Sequence, residues 1–504
     1  MATMPSDDLA TRIRAASRSC TAAVSGHAFR SPAQAFQDLA RACDELGIEE
    51  WDSYGEHGAV ERLEAELVAL FGVEAAAFFP SGVMAQQAAL RIHTDRAGSR
   101  RVAMPDLSHL LVHEEDGPRV LHGLEISFLT QGFETPAARH VDVLPGRVGA
   151  VLVELPLRDA GCLLPTWDEL AALSESCRAR GTALHFDGAR IWESRPWFDR
   201  TLPEIAALAD SLYVSFYKGL EGLAGAALLG PADFIAEARL WRRRLGGTIY
   251  RTTAEAVSAL VGLRDRLPIV ADTVAWARAF AAQLPSYVTV QPGVPHTNQF
   301  RLYAAGEADT VNERVLASVA EHHISLPAWR AAQEPGRITT EIVVTGAALG
   351  LEPAEMAAFL GSVIISAGLP LRAARSHHPM TSVVPFEYMS HVLTIPVRVG
   401  DIETRFIFDT GIGLNLISED LANRVGCHPD GSTFTGRRMS GQAVTVPLGS
   451  LGSLDIGASR GRDIPVGIFD MHTAAGLGDV EGFVSLSCFL TTPVTADYSA
   501  RLGS

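Results

Sequence analysis

Three short runs of the chain carry residue types that could do chemistry. At 215–220 the order Ser-Phe-Tyr-Lys-Gly-Leu puts Lys218 at the end of an apolar, strand-like run, with small residues behind it. A lysine amine forms an imine with an aldehyde cofactor, and burial lowers its pKa so that the free amine is available. At 185–190 the order His-Phe-Asp-Gly-Ala-Arg places Asp187 at the C-terminal end of another apolar run, where open α/β sheets bind ligands. A carboxylate there pairs with a protonated pyridine nitrogen and keeps the ring an electron sink. Arg190, three residues on, suits a bidentate grip on a substrate carboxylate. At 80–84 Pro-Ser-Gly-Val-Met joins a strand-like run to a helical one, so the N–H groups of Gly82 and Val83 would meet a phosphate on the helix dipole. Taken singly, each run also reads as ordinary structure: a solvated lysine, a surface turn, an N-cap. It is their order along one chain that asks for chemistry.

The elements that must position these residues follow from hydrophobic period. Val60, Leu63, Leu67 and Leu70 recur at helical spacing. Apolar runs at 73–79, 101–104, 150–155, 183–186, 212–216 and 226–229 read as buried strands separated by amphipathic helices. Such alternation predicts a mainly parallel sheet covered on both faces. From 288 to 369 strands and helices alternate again, as in a smaller α/β domain, and 372–384 loses periodicity as a linker does. Beyond 389 the pattern becomes two-residue alternation with frequent turns, and a single short helix is expected at 418–425. The expected layout is an extension at 1–24, a large domain at 25–285, a small domain at 286–371, a linker at 372–388 and a β domain at 389–504.

The order Tyr54-Gly55-Glu56, Pro80 to Ala85, His109 to Glu114, His185 to Arg190, Lys218-Gly219 and Leu245-Gly246-Gly247 resembles the threonine aldolase and β-eliminating lyase family of fold-type-I pyridoxal-phosphate (PLP) enzymes. The resemblance covers 25–369 and implies that fold, PLP as cofactor, and a homodimer or homotetramer acting on a small amino acid. It makes Lys218 the Schiff-base lysine, Asp187 the partner of the pyridine nitrogen and His109 the imidazole that stacks on the ring. Gly82 and Val83 match the phosphate turn, Arg190 and Ser25 carboxylate-binding positions, and Arg243 a basic residue near a neighbouring subunit's phosphate.

The chain also departs from that family. Val83 stands where a threonine is usual, removing a hydroxyl contact to phosphate. The stretch Glu154-Leu155-Pro156-Leu157-Arg158 lacks the histidine that is a candidate base for the β-hydroxyl proton, and Glu341 stands where a carboxylate-binding arginine aligns, with Arg337 nearby but not equivalent. These changes leave cofactor binding largely intact and put retro-aldol cleavage of threonine in doubt. His113 and Glu114 are the alternative bases the sequence offers.

Near the C-terminus, an apolar run at 405–408 ends in Asp409-Thr410-Gly411, followed later by Gly482 to Leu486 and Val494 to Tyr498. These resemble a retropepsin-like aspartic protease fold, a small all-β barrel. That chemistry needs two carboxylates sharing a proton. One Asp409 per chain would therefore have to meet a second across a two-fold axis. Ile412-Gly413 and Ser485 depart from the usual residues. The function expected first is a PLP-dependent lyase working through Lys218. An aspartic peptidase through Asp409, with the PLP-fold part as scaffold, and a non-catalytic binding protein are the rivals.

Composition narrows the partners. A net charge of -16 argues against nucleic acid or anionic membrane. No stretch is apolar and long enough to span a bilayer, and 1–21, with Asp7, Asp8 and several arginines, is not patterned as a signal peptide. The 6 cysteines are scattered with no CxxC pair, as reduced thiols of a cytoplasmic protein would be, and no metal site is expected.

Overall fold

The computed structural model describes residues 5–334, 336–364, 387–389, 392–408, 414–437, 443–457, 459–469 and 480–484. The chain forms two compact units, Met1–Ala332 with Gly336–Ala367, and Gln333–Pro335 with Gly368–Ser504.

The first unit is built on a seven-stranded sheet. Its spatial order is Ala75–Phe79, Ala226–Gly230, Ser211–Ser215, Ala183–Gly188, Ala150–Glu154, Arg101–Met104 and Glu125–Phe128. The last five run parallel, and Ala226–Gly230 is antiparallel to both its neighbours. Both faces are covered, which explains the unbroken apolar runs. Alternate residues Ala76, Phe78 and Leu229 join one core with Leu63 and Leu67 of the helix Gly58–Phe71. Ala77, Phe79 and Leu228 join a second core under the helix Gly82–Ala97. This is the two-residue period of a strand dividing its side chains between two helical layers.

A further core lies around a four-stranded antiparallel sheet, Arg330–Ala331, Arg337–Val343, Gln299–Ala305 and Thr289–Gln291. Phe280, Phe300, Val315 and Leu360 fill it, and Ile13 and Val24 join them. Residues 5–24 are thus tied to this core, through the helix Pro5–Ser17 and the strand Ala22–Ala23, which pairs with Ile324–Ser325.

Among its described residues the second unit is all-β apart from one short helix, Glu419–Val425, which Ser418 caps by accepting the Leu421 N–H at 3.0 Å. Val392–Val399 and Ile402–Phe408 form a hairpin, and Ile402–Phe408 pairs in parallel with Val480–Val484. Val392–Val399 also pairs with Ala443–Ile456, which folds the sheet back on itself around Ile395, Phe406, Ile417 and Val466. Asp409, Ile412, Gly413 and Ser485, the expected linker up to 386 and the expected closing strand at 494–498 lie outside the described residues.

Candidate active site

The C-terminal ends of the parallel strands converge on one spot. Glu154 closes Ala150–Glu154, Asp187 sits one residue from the end of Ala183–Gly188, and Lys218 follows Ser211–Ser215 by three residues. Ser108 and His109 enter from the loop after Arg101–Met104 and begin the short helix His109–Val112. One pocket is lined by Val83, His109, Glu154, Asp187, Arg190 and Lys218. The structure therefore brings together five of the residues singled out from sequence, and adds Glu154.

Lys218 is largely enclosed. Burial first, then the Arg190 guanidinium, lower its amine to about 8. Its Nζ lies 5.7 Å from the centre of the Tyr217 ring. Asp187 is buried, and its Oδ1 accepts the Ala189 N–H at 2.9 Å. His109 is lowered by burial, against the opposing pull of Asp187. Its Nδ1 is 3.2 Å from Glu114 Oε1 but out of hydrogen-bonding geometry. The Arg190 guanidinium makes no hydrogen bond or ion pair among the described residues, so its fork is free to take an anion.

Glu154 went unremarked as a site residue in the sequence. Its Oε1 accepts from the Ser108 hydroxyl at 2.8 Å and from the His109 N–H at 2.5 Å. It pairs in register with Asp187 across the sheet. Burial, and then that neighbouring carboxylate, raise it to about 8. The signal was present: an acid closing an apolar strand, the same pattern that singled out Asp187.

At the start of Gly82–Ala97, Ser81 makes no side-chain cap, which leaves the first helical N–H groups available. A Cβ at Gly82 would collide with the Tyr213 hydroxyl, so only glycine fits this turn. Close by, Gln86 lines the pocket and its buried Oε1 has no partner among the described residues.

Two expected residues, Arg243 and Ser25, lie apart from this pocket. Arg243 is exposed on the last turn of Ala232–Arg244, whereas its neighbour Arg242 is buried and donates to Phe78 O at 2.5 Å. Ser25 is tied to the small sheet: its hydroxyl accepts the Val343 N–H at 2.9 Å and faces Glu341 O at 3.4 Å. Glu341 pairs with Arg158 at 2.8 Å. Leu157, in the stretch that lacks the family's histidine, is fully buried. On the far side of Lys218 and Arg190 a cavity of about 160 Å³ extends past Glu193, Gln299 and Glu341.

A deprotonable amine, a buried acid and an open helix start at the strand ends of an α/β sheet are what a phosphorylated aldehyde with a pyridine ring needs, and the partnerless Gln86 and Arg190 leave polar groups for it and for a substrate. The fold and pocket thus define a pyridoxal-phosphate enzyme.

Comparison with known proteins gives the family. The model for the beta-eliminating lyases matches residues 31–306, more than half of the chain, and the chain belongs to that family of PLP-dependent lyases. A model for aspartyl proteases matches 395–481, so a retropepsin-like domain is fused behind the lyase. The low specificity L-threonine aldolase of Escherichia coli K12 is 30% identical over 45% of this chain and 69% of its own length. Aldolase vrtJ of Penicillium aethiopicum is 32% identical over 40% of this chain and 53% of its own. The matched stretch thus spans from about half to just over two thirds of those relatives. A Listeria monocytogenes structure described provisionally as an L-allo-threonine aldolase is 32% identical, with a TM-score of 0.65, over 70% of this chain and 98% of that one. No helix among the described residues is long and apolar enough to cross a membrane.

Proposed function

We propose that the first unit is a lyase acting on a β-hydroxy or β-substituted amino acid, breaking the Cα–Cβ bond or expelling the β-substituent. The observation that carries this reading is one pocket joining Lys218, Asp187, His109 and the unpartnered Arg190 at the strand ends. Bound PLP supplies the electron sink for the pair left on Cα. Lys218, with its amine lowered to about 8, sheds its proton readily and holds the cofactor's aldehyde carbon. Asp187 pairs with the ring nitrogen. His109 covers the ring as a neutral imidazole, the form its burial favours. The open helix start at Gly82 and Val83 takes the phosphate, without the hydroxyl that a threonine at position 83 would add. Arg190 grips the substrate carboxylate, and Ser25, by pinning the strand Arg337–Val343, holds Glu341 at the substrate side.

Arg243, exposed as it is, serves the phosphate of a neighbouring copy, so the working unit is a homodimer or homotetramer. Residues 25–285 and 286–371 carry the activity, joined by 372–388 to the domain at 389–504. The described cysteines are all unpaired, which suits a cytoplasmic setting. Neither the peptidase reading through Asp409 nor a non-catalytic one is favoured. The test is a panel of β-hydroxy and β-substituted amino acids offered to the PLP-loaded protein. Release of an aldehyde or of the β-substituent is the expected result; a protein that binds no PLP and releases neither defeats the proposal.

A further inference from the structure

Cleaving a β-hydroxy amino acid needs a base for its hydroxyl proton, and Leu157, buried and aliphatic, cannot provide one. Two acceptor-bearing residues stand just past the ring-covering histidine. Glu114 is turned toward His109, 3.2 Å from its Nδ1. His113 is different. Its Nε2–H donates to Asp159 Oδ2 at 2.7 Å, which leaves Nδ1 as the acceptor, with no partner among the described residues. Asp159 is itself fixed from the other core: Arg301 Nη2 donates to its Oδ1 at 3.0 Å and Nη1 to its backbone oxygen at 2.7 Å. The His113 ring lies 5.0 Å from that of His109, and both His109 and Arg158, the neighbour of Asp159, line the Lys218 pocket. The His113 side chain is 38% exposed, so substrate can approach it.

We infer that His113, oriented by Asp159, is the base that takes the β-hydroxyl proton. The inference rests on the lyase reading above, with a β-hydroxy amino acid as its substrate. The proton passes from the hydroxyl to His113 Nδ1 and the C–O bond becomes C=O. The Cα–Cβ bond breaks with its electron pair left on Cα, and the aldehyde departs. A proton delivered to Cα then completes glycine. Asp159 is a positioning residue: it holds the imidazole tautomer and the ring, and touches no reacting atom.

The experiment uses the full-length, PLP-loaded protein and its His113→Ala, His113→Asn and Asp159→Asn variants. Aldehyde release from threonine, allo-threonine and phenylserine is measured beside exchange of the glycine Cα hydrogens in D₂O, a step that needs Lys218 but no hydroxyl base. Cofactor absorbance and thermal melting report on loading and folding. Loss of a general base should lower kcat for cleavage roughly 10²–10⁴-fold with KM little changed. Asp159→Asn should lower kcat within the same roughly 10²–10⁴-fold range, because the imidazole loses the carboxylate that fixes its tautomer. Glycine exchange and cofactor absorbance should persist, and added imidazole should restore part of the cleavage by His113→Ala. Cleavage unaffected in the His113 variants, an equal fall in exchange, or no rescue by imidazole would overturn the inference. A wild type that exchanges glycine but cleaves no β-hydroxy amino acid overturns it while leaving PLP chemistry at Lys218 standing. A wild type that does neither removes the lyase reading as well.

Discussion

Two buried polar groups share one face of the large sheet, and they behave differently. In the first, His93 Nε2 and His185 Nδ1 both meet the Ser211 hydroxyl at 2.7 Å, deep between the strands and the helix Gly82–Ala97. Burial lowers His93 to about 4 and His185 to about 3, so both are neutral. In the second, two residues further along the same strands, stand Asp187 and Tyr213, with Lys218 lowered to about 8. Both groups are buried and both are shifted, so neither property alone marks a site. The second lies at the strand ends, borders a cavity of about 160 Å³ and keeps Arg190 unpartnered. The first is enclosed and turned on its own serine. Burial makes a titratable group unusual; an opening beside it makes the group usable.

The contrast can be broken most decisively at Lys218. Lys218→Ala should lower turnover roughly 10⁴-fold, the upper range for losing a proton-transferring group. Borohydride should then no longer fix PLP to the protein. His185→Asn, which keeps a partner for Ser211, should leave both unchanged. Covalent trapping of PLP by the Lys218→Ala protein would show the wrong lysine has been chosen.

Asp187→Asn comes next. Turnover should fall about 100-fold, more than PLP affinity does, because the carboxylate tunes the ring while other contacts hold it. Equal losses, measured by titration and steady-state kinetics, would make Asp187 a structural residue like His185.

The pH response sharpens the difference. Capture of PLP by the cofactor-free protein should accelerate roughly tenfold per pH unit up to about 8 and then level off, since the amine is lowered to about 8. A rate still climbing at pH 9 would mean that Lys218 is not enclosed in solution.

The histidine pair should register in stability instead. Both folded-state values lie below the unfolded value of 6.5, so folding excludes their protons. Their contribution is complete above about pH 6.5 and is lost as pH falls toward 4 and then 3, at up to roughly 1.4 kcal/mol per unit per histidine. Urea unfolding across that range should flatten in His93→Gln or His185→Asn; identical slopes would place these rings in contact with water. The smallest effect belongs to Ser25→Ala, about 1 kcal/mol of stability for the lost Val343 bond. Turnover should barely change, and a large kinetic defect there would show the hydroxyl reaching substrate.

The sequence carried those features that are local. Lys218 and Asp187 were legible because each follows an apolar run, and the run itself announces the strand. The short helix of the second unit was expected at 418–425, and the structure places it at Glu419–Val425. Glu125–Phe128 escaped because an edge strand with a half-exposed pattern has no apolar run to announce it. Glu154 bears the same signature as Asp187, but the missing histidine three residues later drew the reading elsewhere. The pairs that complete the site join distant segments: Arg158 meets Glu341 across 183 residues, and Arg301 meets Asp159 across 142. No spacing rule reaches that far; only the packing of two cores brings such charges together.

The contact between Gly82 and Tyr213 has a consequence for how this turn can evolve. Any side chain at 82 would drive into the phenol of a tyrosine buried in the sheet. The two positions are therefore not free to drift separately. A lineage replacing the glycine must first, or at once, shrink residue 213, and each single step is penalised where the pair is tolerated. Such a pair should show strong sign epistasis, and a library randomised at both sites together would recover combinations that no one-site scan can find.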